Sequence, residues 1–123
     1  MENTTQIVKE KKFISLVIYL HNSAPYLKFF LDTVIRTCEN HFEQFEIVCV
    51  DDACQDNTVE LLKEYVEERK LHVMVNVVHM SFFQGLESAM NAGRDIAIGD
   101  FVYEFGDIFV DYDEKVIMDV YYK

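Results

Sequence analysis

Four continuous apolar runs, each followed by a polar turn, constrain the fold of this chain more than any other feature. They are FISLVIYL at 13–20, FEIVCV at 45–50, LHVMVNVVHM at 71–80 and DFVYEF at 100–105. Short apolar runs that do not alternate with polar residues, and that end at turn residues, are typical of strands buried on both faces. Such strands occur in parallel sheets, so the sequence predicts four parallel strands over these residues.

The segment between the first two runs has the spacing of an amphipathic helix. Over residues 23–42 the apolar side chains recur from Leu27 at i, i+3, i+4, i+7, i+8 and i+11, which places them on one face. Asn22 or Ser23 can cap the first turn, where Pro25, the only proline of the sequence, is tolerated.

Further helices are predicted after the second, third and fourth runs. In residues 56–70, Asn57 and Glu60 have the spacing of a capping box. Residues 84–99 carry small side chains along one face, which would let this helix approach the sheet closely. A last helix is predicted from Asp113 onward.

The resulting order, βαβαβαβα, predicts an α/β fold of three layers (α/β/α) with a mostly parallel central sheet and right-handed crossovers. We expect a single domain over residues 1–123, of which residues 1–12 form a polar N-terminal extension. Ligands of such folds bind at the edge where the strands end. In this sequence that edge comprises residues 21–23, 51–56 and 104–107.

The composition excludes several classes of function. With 11 basic and 22 acidic side chains, the formal net charge of −11 disfavours binding to nucleic acid. A ligand with phosphates would need a metal ion or helix N-termini to offset this charge. Cys38, Cys49 and Cys54 are an odd number without CxxC spacing and are interpreted as structural, which fits a reducing cytosol. No run reaches the roughly 18 apolar residues that span a bilayer.

Asp51 and Asp52 form the strongest local signal for function. Two adjacent carboxylates at the end of a buried strand are costly unless they bind a ligand or accept several hydrogen bonds. One interpretation is that they hold a base or a ribose. The other, equally open from these residues alone, is that both cap the loop and the helix that follow.

Three motifs in order give the sequence a resemblance to a known family. VIYLHNSAPYL at 17–27, VDDACQDNTVELLKEY at 50–65 and SAMNAGRDIAIGD at 88–100 resemble the VIPVYNEEPYL, VDDGSTDNT and AxNxG…A-x-GD segments of inverting family 2 glycosyltransferases. These enzymes have the GT-A fold, a Rossmann-like α/β/α arrangement. The resemblance extends over residues 13–104, roughly three quarters of the chain.

The resemblance implies a nucleotide-binding role for specific residues. In such enzymes the turn after the first strand and the acid that ends the second hold the nucleotide of a sugar-nucleotide donor. These positions are Asn22 and Asp51, with Asp52 beside them. His21, where the family has Tyr, can stack or hydrogen-bond near the base, or can be a packed structural residue. Tyr19 replaces the usual turn proline.

The remaining histidines and the diphosphate contacts are less well defined. His41, His72 and His79 lack metal-ligand spacing and are interpreted as structural. Arg94 or Gln84 can face the diphosphate, and either can equally be a solvated surface residue.

The metal motif departs from the family pattern. Members usually follow the fourth strand with a D-x-D segment that holds a divalent cation, because Mg²⁺ and Mn²⁺ prefer oxygen ligands. Here Gly106 lies where the first acid is expected, two residues after Glu104 and one before Asp107. Glu104 and Asp107 can supply an irregular site for Mg²⁺ or Mn²⁺, or the site is lost.

The function implied is transfer of a sugar, with inversion, from a UDP- or GDP-sugar to an acceptor hydroxyl or a polyprenyl phosphate. This suggests cell envelope polysaccharide biosynthesis in the cytoplasm, at the inner face of the membrane in a full-length parent, with a membrane-associated lipid acceptor. Because family members normally continue with the acceptor half and the general base, we expect this truncated chain to bind donor without transferring sugar efficiently. Its exposed sheet edge would favour homo-oligomers.

Three other interpretations were weighed. A catalytically silent GT-A-like module, kept for nucleotide binding or assembly, is the main alternative and is favoured by the degenerate metal motif. A signalling receiver domain is disfavoured because its acid pair would follow the first strand, and here the pair follows the second. A Rossmann dehydrogenase is disfavoured because no GxGxxG follows the first strand.

Overall fold

The computed structural model describes residues 10–71 and 74–106, together with residues 115, 117 and 118. The elements follow the predicted order: β1 Glu10–Leu20, α1 Ala24–His41, β2 Phe42–Asp51, α2 Thr58–Arg69, β3 Val75–His79, α3 Leu86–Ile96 and β4 Phe101–Phe105. Within these residues the strands form one parallel sheet in the order β3-β2-β1-β4. The predicted α/β fold with a parallel sheet is therefore confirmed.

Two strands, β1 and β2, begin earlier than their apolar runs. β1 begins at Glu10 rather than Phe13, so residues 10–12 of the predicted N-terminal extension belong to the sheet. β2 begins at Phe42 rather than Phe45. Glu10 pairs with Phe42, and the register shifts between Glu10 and Phe13. The pairing uses backbone groups, so it continues through exposed polar residues that carry no apolar signal.

The third strand is shorter than predicted because the chain turns before it. Val75 begins the strand, and the amides of Met74 and Val75 both donate to the carbonyl of Leu71. Residues 72–73 lie outside the described part. The predicted last helix from Asp113 falls mostly outside it too, although residues 115, 117 and 118 are helical.

The capping box predicted at Asn57 is wrong. The side chain of Asn57 makes no cap hydrogen bond, and Asp56 takes that role. Its Oδ1 accepts from the backbone N–H of Thr58 at 3.0 Å, and its Oδ2 accepts from that of Ala24 at 3.3 Å. One carboxylate thus caps the first turns of α1 and α2, because both helices begin at the same edge of the sheet.

Helices cover both faces of the sheet, as predicted. On one face, α1 and α2 pack over alternate residues of β1 and β2 and form the larger core cluster. On the other face, α3 packs on the intervening residues. Its Ala89 and Met90 join Val17, Val48 and Val50 in a second cluster. None of the helices in the described part combines the length and the apolar character needed to cross a bilayer.

The close approach of α3 to the sheet depends on Gly93. A Cβ built on Gly93 would lie 2.5 Å from Cγ1 of Val17 and 2.8 Å from Cγ2 of Val50. Both neighbours are fully buried and β-branched, so they have little freedom to move away. This confirms that small residues let the helix seat against the strands.

We expect Gly93→Ala to destabilise the protein by about 1–3 kcal/mol, because overpacking outweighs the helix propensity gained, roughly 1 kcal/mol. The matched control is Ser88→Ala, which adds an alanine on the exposed face of the same helix. Urea unfolding of both variants measures the effect. If Gly93→Ala were as stable as the wild type, α3 could not lie this close to the sheet.

Candidate functional site

Three strands end side by side at one edge of the sheet. The register pairs Leu20 of β1 with Asp51 of β2, and Asp51 with His79 of β3. Neighbouring strands lie roughly 4.8 Å apart, and the amide after Asp51 donates to the carbonyl of Leu20 at 2.9 Å. The predicted site residues at 21–22 and 51–52 are therefore brought together.

The two adjacent carboxylates lie on opposite faces of the sheet, because successive side chains of a strand alternate. Asp51 lies on the face covered by α1 and α2, in contact with Cys54 and His79. Asp52 lies on the face covered by α3, in contact with Tyr19. The acid pair therefore forms two separate hydrogen-bonded groups.

Asp51 is held by two hydrogen bonds and is nearly enclosed. Its Oδ1 accepts from the backbone N–H of Cys54 at 2.9 Å, and its Oδ2 lies 2.8 Å from Nδ1 of His79. Its side chain is 11% exposed. Burial alone would raise the pKa of Asp51, but these hydrogen bonds outweigh burial and hold that pKa below its ordinary value. Asp51 is therefore an ionised acceptor.

Asp52 anchors the segment that precedes α3. Its side chain is fully buried. Oδ1 accepts from the backbone N–H of Gln84 at 2.8 Å, while Oδ2 accepts from the N–H of Gly85 at 2.9 Å and from the hydroxyl of Tyr19 at 2.7 Å. Gly85 has a φ of 89°, which other residues rarely adopt. Burial, followed by this contact with Asp52, raises the pKa of Tyr19.

His21 and Asn22 connect the end of β1 to the neighbouring loops. The Nδ1–H of His21 donates to the backbone carbonyl of Asp52 at 2.7 Å, and its ring centroid lies 4.8 Å from that of Phe83. Asn22 has a φ of 51°. Its Oδ1 accepts from the amides of residues 55 and 56 at 2.7 and 3.3 Å. Both side chains thus help to fix the loops of this edge.

His79 is a residue of this edge that the sequence analysis did not assign to it. We interpreted it as structural, yet its side chain is 52% exposed and Nδ1 contacts Asp51. Because ionised Asp51 can only accept, Nδ1 of His79 carries the hydrogen. The rule that ligands bind where parallel strands end, applied to β3 as well, would have pointed to this residue.

Cys54 has a structural environment, as the sequence analysis predicted. Its sulfur accepts from the backbone N–H of Asn22 at 3.4 Å, and its thiol donates to the carbonyl of Leu20 at 3.5 Å. Burial, followed by the adjacent carboxylate of Asp51, raises the pKa of Cys54 to about 12. The thiol is thus protonated at neutral pH and is unsuited to act as a nucleophile.

Arg94 lies away from the acid pair. It is in the last turn of α3, roughly 13 Å along the helix axis from the turn that Asp52 anchors. Its guanidinium donates to Oε1 of Glu104 at 2.7 Å and also bonds Asn91. Gln84, the other candidate for the diphosphate, lies at the edge through its backbone bond to Asp52. The diphosphate role of either residue stays a prediction.

The described residues do not form a site that fits a divalent cation. Glu104 is paired with Arg94, and Asp107 lies outside the described residues. Across residues 10–71 and 74–106, no three His, Cys, Asp or Glu side chains are grouped so that they could hold a metal ion. The assignment of Glu104 and Asp107 to a metal therefore stays a prediction.

The parallel sheet, its order and the acids at the strand ends define an α/β nucleotide-binding class of fold. Comparison with known proteins is more specific. The family described as Glycosyl transferase family 2 matches residues 15–114. The chain belongs to this family.

Relatives with named activities match about three quarters of the chain. The undecaprenyl-phosphate 4-deoxy-4-formamido-L-arabinose transferase of Proteus mirabilis is 30% identical over 89 residues, which cover 72% of this chain and 27% of the relative. The protein of the same name from Edwardsiella ictaluri is 32% identical over 94 residues, or 76% of this chain and 28% of the relative. The chain therefore spans less than a third of the length of these relatives.

Solved structures confirm the GT-A fold. A mannosyltransferase from Pyrobaculum calidifontis, in complex with GDP-Man and Mn²⁺, matches with a TM-score of 0.68 and 21% identity over 78% of this chain and 28% of that one. TarS of S. aureus, residues 1–349 in complex with UDP-GlcNAc, matches with a TM-score of 0.66 and 22% identity over 89% and 30% of the two chains.

We expect Asp52→Asn to lower the free energy of unfolding by about 1–3 kcal/mol, because an amide cannot accept all the hydrogen bonds that the buried carboxylate accepts. The loss should be accompanied by faster hydrogen exchange at the amides of Gln84 and Gly85. Asp95→Asn, on the exposed surface of α3, is the matched control. Unchanged exchange at both amides would show that Asp52 does not anchor this segment.

Stability should also depend on the ionisation of Asp51. Because its pKa is lower in the folded state, its contribution is present above the ordinary aspartate pKa of about 3.9 and is lost as pH falls through the folded value. Urea unfolding of wild type and Asp51→Asn between about pH 5 and pH 2 should show a steeper decline for the wild type. Parallel profiles would contradict this assignment.

Proposed function

We propose that this chain is the donor-binding part of a family 2 glycosyltransferase, with the nucleotide of a UDP- or GDP-sugar at the edge where β1, β2 and β3 end. One observation carries the proposal. The in-register strand ends bring together His21, Asn22, Asp51 and Asp52, the positions to which the family resemblance assigns the nucleotide. Matches to proteins solved with GDP-Man and with UDP-GlcNAc are consistent with it.

We propose further that the complete enzyme transfers the sugar by direct displacement at the anomeric carbon, with inversion. The acceptor is a hydroxyl or a polyprenyl phosphate, and the names of the relatives favour the second. An undecaprenyl-phosphate acceptor would place the enzyme at the cytoplasmic face of a membrane, in cell envelope biosynthesis. No residue of the described part is assigned as the general base for a hydroxyl acceptor, and we expect that base to lie in the acceptor half.

The charged side chains considered for the nucleotide are already engaged in hydrogen bonds or an ion pair, which limits the charge that they can offer to a ligand. The carboxylates of Asp51, Asp52 and Asp56 already accept from backbone amides at the turns and helix starts. Arg94 is paired with Glu104. Arg94, the cation predicted to face the diphosphate, is therefore already engaged in an ion pair.

A catalytically silent module remains the second candidate. The pairing of Glu104 with Arg94 favours it. So does Gly106, which lies where family 2 glycosyltransferases usually carry the first acid of their metal motif. Such a module would keep the fold and the nucleotide edge without transferring sugar.

Calorimetric titration of the 123-residue chain with UDP and with GDP, each with and without Mn²⁺, tests the proposal. We expect saturable binding of one nucleotide, weakened at least about tenfold by Asp51→Ala, which corresponds to roughly 1.4 kcal/mol. Binding should be unchanged by Asp95→Ala, an exposed acid on α3.

The other outcomes test the metal role, the part played by Asp51 and the donor-binding proposal itself. Tighter binding with Mn²⁺ would support the predicted metal role of Glu104 and Asp107. Wild-type binding that survives Asp51→Ala would show that the carboxylate of Asp51 is not needed to hold the nucleotide. A folded chain that binds neither nucleotide would reject the donor-binding proposal for this chain.

A further inference from the structure

We propose that His79 contacts the nucleotide base directly and selects bases that carry a ring N–H. The proposal rests on the donor-binding function above and adds a specificity-determining residue to it. It assigns the outward-facing hydrogen-bonding group of this edge to an imidazole at the end of β3, in place of the carboxylate of Asp51.

The first step is the difference in exposure between the two partners. The side chain of Asp51 is 11% exposed, and each of its oxygens already accepts a hydrogen bond. The side chain of His79 is 52% exposed. A ligand that approaches the end of β2 from this face therefore meets the imidazole before it can reach the carboxylate.

The second step is the tautomer of His79. Ionised Asp51 can only accept, so Nδ1 of His79 carries the hydrogen of their 2.8 Å contact. In the neutral ring Nε2 is then an acceptor, and no described residue donates to it or accepts from it. Asp51 thereby fixes a single outward lone pair on a half-exposed ring.

The third step is the chemistry that fits this lone pair. Uracil and guanine each present a ring N–H on the edge used for base pairing, whereas cytosine and adenine present a lone pair at the corresponding ring nitrogen. Neutral His79 can therefore accept from the first two bases and not from the others. Selection of this kind is effective because the wrong base leaves a polar group unpaired.

The charge around His79 favours a neutral base over a phosphate. Asp51 contacts the ring. This carboxylate would repel a phosphate placed on Nε2.

The test compares UDP-glucose with CDP-glucose, which differ only in the base and whose diphosphates do not titrate near neutrality. Calorimetry of the whole chain measures the affinity for each ligand. For the wild type we expect a preference for UDP-glucose of roughly tenfold, the size of one hydrogen bond.

The decisive variant is His79→Asn. Its amide can still donate to Asp51 from about the position of Nδ1, but it lacks the outward nitrogen. We expect the base preference to be lost while Asp51 stays in place. His41→Asn is the matched control, because it changes an imidazole in the last turn of α1, at the end away from this edge, and should leave the preference intact.

Each remaining outcome counts against a defined claim. A preference that persists in His79→Asn would overturn the role of His79 and leave the donor-binding proposal intact. A wild-type chain that binds neither sugar nucleotide, nor UDP or GDP, would reject both proposals.

Discussion

The candidate site depends on one constraint, the in-register parallel pairing of β1 with β2. Leu20 lies opposite Asp51, so the chain leaves both strands at the same level and the two following loops meet. A slip of one residue would move every side chain of β2 to the other face of the sheet. Asp51 would lose His79, and Asp52 would lose the segment before α3. The fully buried apolar residues of both strands prevent such a slip.

The acids at this edge stabilise the fold through hydrogen bonds of their own. Asp51, Asp52 and Asp56 each accept backbone N–H groups, from the loop after β2, from the segment before α3 and from the first turns of α1 and α2. Buried carboxylates without such partners would be strongly destabilising. The sequence left two interpretations of the acid pair open, ligand binding and capping. The contacts show that capping is satisfied, and that a ligand must reach the edge through the groups that remain exposed.

Those exposed groups are largely imidazole and aromatic rings. His21 and His79 are each oriented by a hydrogen bond from Nδ1, to the carbonyl of Asp52 and to the carboxylate of Asp51. Phe83, whose ring lies beside that of His21, is 57% exposed. The carboxylates of Asp51 and Asp52 thus accept from backbone amides, and this edge exposes less negative charge than the sequence suggests.

Much of the fold could be predicted, and the failures have physical causes. The four apolar runs located the strands, and the small residues of 84–99 correctly indicated the close packing at Gly93. The early starts of β1 and β2 were missed because backbone pairing there includes exposed polar residues, which give no hydrophobic pattern in the sequence. The capping box at Asn57 was wrong because Asp56 caps two helices at once, which requires knowing that both begin at the same edge.

The sequence by itself determined the parallel α/β fold and the family, because hydrophobic periodicity and contiguous motifs are local properties of the chain. Only the tertiary structure decided which polar groups remain available there. It pairs Arg94 with Glu104, encloses Asp51 and Asp52, and places His79 beside Asp51 across 28 positions of sequence. Such pairings depend on strand register and on the side chains that lie opposite each other, which spacing along the chain does not specify.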